Sequence, residues 1–85
     1  MSYTVRVERA AEKALAKRIR PENADRVREA IAGLAEDPRP AIASRKLRGR
    51  EGYRLRVGDY RVIYDIDDEE EVVSVLDVGH RQGIY

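Results

Sequence analysis

Hydrophobic and polar positions along this chain repeat at two periods, and the change from one to the other marks out its elements. Between residues 53 and 66 the period is two. Tyr53, Leu55 and Val57 alternate with Arg54 and Arg56, and after Gly58-Asp59 the residues Tyr60, Val62, Tyr64 and Ile66 alternate with Arg61, Ile63 and Asp65. Two alternating runs around a Gly-Asp pair predict a β-hairpin with a two-residue turn. Val57 then faces Tyr60, Leu55 faces Val62 and Tyr53 faces Tyr64, which makes one face apolar and aromatic. On the other face Arg56 lies opposite Arg61, with Arg54 two residues along.

Residues 3–7 also alternate and predict a first strand. At Ala11, Leu15 and Ile19 the spacing becomes helical, and Pro21 ends or re-aims that helix while suiting the first turn of a second one. Ala24, Val27, Ile31 and Leu34 give the second helix its apolar stripe, and Asp37-Pro38 stops it, because the residue before proline avoids helical dihedrals. Two helices joined this closely predict an αα-hairpin. Residues 38–44 read as a loop and 67–70 as a polar turn. Residues 71–78 form a last strand whose apolar positions fall on both parities, as expected of a central strand covered on both sides. The expected fold is α+β, in the order β-α-α-β-β-β, with the helical hairpin packed on a small, mainly antiparallel sheet. It forms a single domain over residues 1–85.

If residues 67–70 are the loop, Ile66 faces Glu71 and Tyr60 faces Asp77, although a slip of one residue would exchange the faces of the last strand. Either register brings residues 79–81 to the end of the sheet that holds Gly58, Tyr60 and Arg61. His80 and Arg81 are thus expected beside Arg56 and Arg61, with Tyr85 near, and the acidic turn at the far end.

Charge sharpens this picture. Lys and Arg number 17 against 16 Asp and Glu, a net charge of +1, yet the signs are segregated. Arg45, Lys46, Arg48, Arg50, Arg54, Arg56 and Arg61 face only Glu51 and Asp59 within residues 45–61, whereas every residue from 65 to 71 except Ile66 is acidic. Like charges directly opposed on a sheet are destabilising, so an external anion is one reason to keep them. A solvated basic strand that resists aggregation is the competing reading. With no Cys, disulfides and thiolate chemistry are excluded, and one His makes a protein-only zinc site improbable. No cofactor or metal is implied. Residues 1–20 are amphipathic and charged, and no run is long enough to span a bilayer, so a cytoplasmic protein without membrane contact is expected.

The segments KLRG (46–49), YRLRVGDYRVIY (53–64) and VLDVGHR (75–81), followed by Tyr85, resemble the RelE/ParE superfamily of type II toxins over essentially the whole chain. The RelE branch cleaves messenger RNA in the ribosomal A site and is neutralised by a cognate antitoxin. The resemblance therefore implies a metal-independent endoribonuclease, or mRNA interferase, whose partners are the ribosome, mRNA and a RelB-like antitoxin. Its working residues carry over to Arg54 and Arg56 before the hairpin turn, Arg61 after it, Arg81 after the last strand, and Tyr85. Arg45, Lys46, Arg48 and Arg50 would extend the RNA-binding surface. ParE-like relatives share the fold but inhibit DNA gyrase, and a degenerate RNA-binding homologue is a third reading.

Two features depart from the family pattern. The basic pair is often Lys there, whereas Arg54 and Arg56 stay protonated and suit charge stabilisation better than proton abstraction. His80 stands where a basic residue is usual, and its side-chain type is the one suited to proton transfer near neutrality, so it is a candidate proton shuttle. The segment after Gly79 also lacks the pattern of a C-terminal helix, an element that some relatives rearrange when the antitoxin binds.

Overall fold

Residues 2–82 are described by the computed structural model, in the order β1 (Thr4–Val7), α1 (Arg9–Lys17), α2 (Pro21–Gly33), β2 (Ser44–Lys46), β3 (Tyr53–Val57), β4 (Tyr60–Asp67) and β5 (Val72–His80). The α+β architecture is the expected one, with one strand added. Ser44–Lys46 carries no alternation of its own and is a strand because it pairs antiparallel with β3.

The five strands form one sheet in the order β1-β5-β4-β3-β2. β1 runs parallel to β5, and the other three pairings are antiparallel. The hairpin register is as read from the sequence: Val57 pairs with Tyr60, Leu55 with Val62 and Tyr53 with Tyr64. Both helices cover the face that carries Leu55, Val62, Tyr64, Val73, Val75 and Val78, and Ala11, Ala14, Leu15, Val27, Ile31 and Leu34 close the core against it. Burying each of the larger aliphatic side chains contributes about 1.5–3 kcal/mol. α2 begins on Pro21, whose missing N–H costs nothing at that position. α1 ends at Lys17, so Ile19 reaches the core from the connecting turn rather than from the helix. Arg28 of α2 donates to both carboxylate oxygens of Glu12 on α1, at 3.2 and 2.8 Å.

The β4–β5 register differs from both alternatives. β4 continues to Asp67, and the turn falls on residues 68–71, where Glu71 adopts a left-handed φ of 56° and the Asp67 carboxylate accepts the Glu70 N–H. Ile66 therefore pairs with Val73. A bulge between Ile63 and Tyr64 then shifts the ladder, so that Tyr60 pairs with His80. The same bulge explains why the last strand is apolar at both parities. Leu76 is its extra residue, so Val73, Val75 and Val78 all reach the helix side. The strand is central, but no described helix covers its other face.

The segment between α2 and β2 is tied down at the acidic end of the sheet. The fully buried Tyr64 hydroxyl donates to the Pro38 carbonyl at 2.7 Å, which makes Ser44 the donor in the 2.6 Å bond between the two hydroxyls. Nearby, Arg39 donates to both oxygens of Asp68 at 3.3 and 2.7 Å, and its Nε donates to the Tyr53 hydroxyl at 3.1 Å. Tyr3 donates to Asp68 at 2.7 Å. The Arg39 bond, helped by Tyr3, holds the Asp68 carboxyl below the usual carboxylate range.

Candidate functional site

The open face of the sheet brings guanidiniums together from three strands. Arg45 on β2 lies directly opposite Arg54 on β3, and Arg56 on β3 lies directly opposite Arg61 on β4. Alternation puts Arg54, Arg56 and Arg61 on the face away from the helices, and the pairing of β2 with β3 adds Arg45. With Ile42 and Ala43 they line a hollow of about 240 Å³. Arg45 and Arg54 also border a wider hollow of about 640 Å³ with Lys46, Leu47, Arg48 and Arg50, and Ile63 is buried beneath. The seven basic residues singled out between 45 and 61 thus line two hollows that share a wall.

Local structure fixes several of these groups. The Arg61 guanidinium bends back to donate to the carbonyls of Gly58, at 3.1 Å, and Tyr60, at 2.9 Å. Gly58 has a φ of 59°, which suits the first turn residue to glycine, and a Cβ there would come within 3.4 Å of the Arg26 guanidinium of α2. The Arg45 guanidinium donates to the carbonyls of Ala41, Ile42 and Ser44 at 3.0, 3.3 and 2.9 Å, fastening the loop that enters β2. The side chain of Arg56 makes no hydrogen bond or ion pair among the described residues. A guanidinium presented in this way is a ready donor for a bidentate phosphate contact.

Arg81 reaches the same end of the sheet. Its N–H donates to the Asp59 carbonyl at 2.8 Å, and its Nε lies 4.0 Å from the Asp59 carboxylate. His80 does not join the arginines. The bulge sets it opposite Tyr60 on the helix side, edge-on to that ring at 5.8 Å, in a separate hollow with Arg18, Ile19, Val78 and Gly79. Gly79 is the residue opposite Arg61. The expected closeness of His80 to Arg56 and Arg61 is therefore corrected: it shares their end of the sheet but not their face. Tyr85 lies outside the described residues.

Two members of the arginine hollow were missed from the sequence, Ile42 and Ala43. Their segment, residues 38–44, carries no periodic signal, and only the pairing of β2 with β3 brings it to the face. The acidic turn lies at the opposite end of β4, about 20 Å from Arg61 at the usual rise per residue.

Two helices on one face of a sheet of this topology make the fold also seen in small RelE toxins. The ParE toxin family of type II toxin–antitoxin systems (parDE) matches residues 5–85. A chain of the toxin–antitoxin complex RelBE2 from Mycobacterium tuberculosis is 34% identical, covering 95% of this chain and 100% of that one, with a TM-score of 0.82. The archaeal RelE–RelB complex from Pyrococcus horikoshii contains a chain 29% identical over the full length of both, with a TM-score of 0.79. A chain of the Escherichia coli RelBE complex is 28% identical, covering 93% of this chain and 96% of that one, at 0.72. The chain belongs to the RelE/ParE superfamily of type II toxins. Among the described residues no helix is long and apolar enough to cross a membrane.

Proposed function

We propose that the chain is a ribosome-dependent endoribonuclease, in which the ribose 2′-OH of messenger RNA attacks the adjacent phosphate and leaves a 2′,3′-cyclic phosphate and a 5′-OH. The observation that carries this reading is the pair of directly opposed arginine pairs, Arg45–Arg54 and Arg56–Arg61, lining one hollow. In-line attack needs an oriented nucleotide and stabilisation of the charge that develops on the phosphorane. Arg56 and Arg61 supply that charge stabilisation, and Arg54 and Arg45 hold the substrate. Arg81, at the hairpin end, stabilises the leaving oxygen, and Tyr85 stacks on or orients a base. Lys46, Arg48 and Arg50 guide the strand along the wider hollow. Guanidiniums do this by charge rather than by accepting protons. Placed across the sheet, His80 is not the group that exchanges a proton at their phosphate.

The partner in this reading is an antitoxin of the RelB kind, supported by the antitoxin complexes of the relatives from Mycobacterium tuberculosis and Pyrococcus horikoshii. An acidic segment of that partner would cover the arginine face.

Induced expression followed by mapping of mRNA 5′ ends tests the reading. Codon-phased cuts that depend on translation are expected, and a deoxyribose at the cut site should abolish them. Arg61→Ala should slow cutting roughly 10²–10³-fold, with circular dichroism unchanged. The match to the ParE family favours a second reading, inhibition of DNA gyrase. Unaltered mRNA ends together with a block of supercoiling in vitro would establish it in place of the first.

A further inference from the structure

Among the described residues Ile42 is the large hydrophobic side chain left exposed, at 79%. A single exposed aliphatic residue is ordinary, but its position here is not. It stands at the mouth of the hollow lined by Arg45, Arg54, Arg56 and Arg61, an apolar wall beside four cations. It is also held still. Arg45 donates to the carbonyls of Ala41, Ile42 and Ser44, the Ala43 carbonyl accepts the N–H of Arg56 at 2.9 Å, and Ser44 donates its N–H to Pro40 at 3.0 Å. The bond from Ser44 to buried Tyr64 anchors the far end of the loop in the core.

We infer that Ile42 is a base-contacting residue: its side chain packs against the nucleobase next to the phosphate held by Arg56 and Arg61. This rests on the RNA-cleaving reading and deepens it. An occupant that fits beside four cations and an adjoining apolar wall carries an anion next to an apolar group, and a nucleotide offers both in its phosphate and the face of its base. The wall offers no donor or acceptor, so it grips bases through their faces and tolerates any of them, as stacking platforms for single strands do. Because the loop is already fixed, little ordering entropy is lost when the base arrives.

The test is binding of a trinucleotide with 2′-O-methyl riboses, which cannot be cut, against the same molecule lacking its central base. The wild-type protein should bind the intact probe about tenfold more tightly than the abasic one. Ile42→Ser should remove that difference while leaving affinity for the abasic probe and the melting temperature unchanged, and Ile42→Leu should restore it. Wild-type protein that does not distinguish the probes, or Ile42→Ser protein that still does, overturns the assignment. So does an Ile42→Ser variant whose only loss is affinity for an acidic amphipathic peptide. Arg61→Ala separates the two claims. If it leaves affinity for the abasic probe unchanged, it is the arginine site that fails, whatever Ile42 does.

Discussion

Arg56 and Arg61 stand directly opposite each other, and Arg45 and Arg54 repeat the arrangement on the neighbouring strands. Such pairs work against the fold, since directly opposed like charges cost a few tenths to about 1 kcal/mol each. Relief of one pair should therefore show. Arg56→Thr, a good strand former with no charge, is expected to raise stability by about 0.5 kcal/mol, or roughly 2–4 °C in melting temperature for a domain of this size. On the RNA-cleaving reading, cutting should be lost in the same variant. A melting temperature that falls, measured by calorimetry, would mean that the packing of the Arg56 stem on the sheet outweighs the repulsion of its charge. Rising stability with vanishing activity is the signature of a site held against the preference of its scaffold.

At the scale of elements, the short strand β2 delivers Arg45 to the face, and the Tyr64–Ser44–Pro38 bonds hold the chain that leads into it. Tyr64→Phe leaves two polar groups without their partner and should cost about 1–3 kcal/mol in urea denaturation. Its pH dependence identifies the cause. Burial, the larger influence, raises the Tyr64 hydroxyl above its ordinary value of 10.0 in the folded state. The folded state then holds its proton longer than the unfolded chain does. That part of the stability is complete below about pH 10 and is lost as pH rises through the folded value. The Phe variant should lack this alkaline slope. These elements also show what could be read in advance. The Gly58-Asp59 turn and the period-two runs fixed the hairpin register, because a one-residue slip would have turned Leu55 and Val62 into solvent. The bulge at Ile63/Tyr64 has no such marker. It shows in the sequence only as valines on both parities, the same pattern as a strand covered on both faces, and it moved His80 away from the arginines. β2 was hidden because an edge strand of three residues owes its conformation to its neighbour.

For the whole molecule, a net charge of +1 conceals a separation of signs along β4, with arginines at the hairpin end and the acidic turn at the other. Binding to single-stranded RNA should accordingly depend on salt far more than the net charge suggests. If the four arginines of the hollow each displace one counterion, log K should fall against log salt with a slope of about −3, and each Arg→Ala change should reduce it by about 0.7. Isothermal titration over a range of salt reads this directly. A slope near zero would point to a surface that takes protein rather than nucleic acid.

The parallel pairing of β1 with β5 also sets the order of assembly. Thr4 pairs with Val72, so the first strand meets its partner only after another 68 residues have been made. At roughly 5–20 residues per second, that wait is about 3–14 s on the ribosome. Until then β4 lacks its inner neighbour as well, and the sheet presenting Arg61 has a raw edge where its centre will be. The last strand is the keystone of the sheet, and a nascent chain that has not yet released residues 72–80 cannot complete the arginine face.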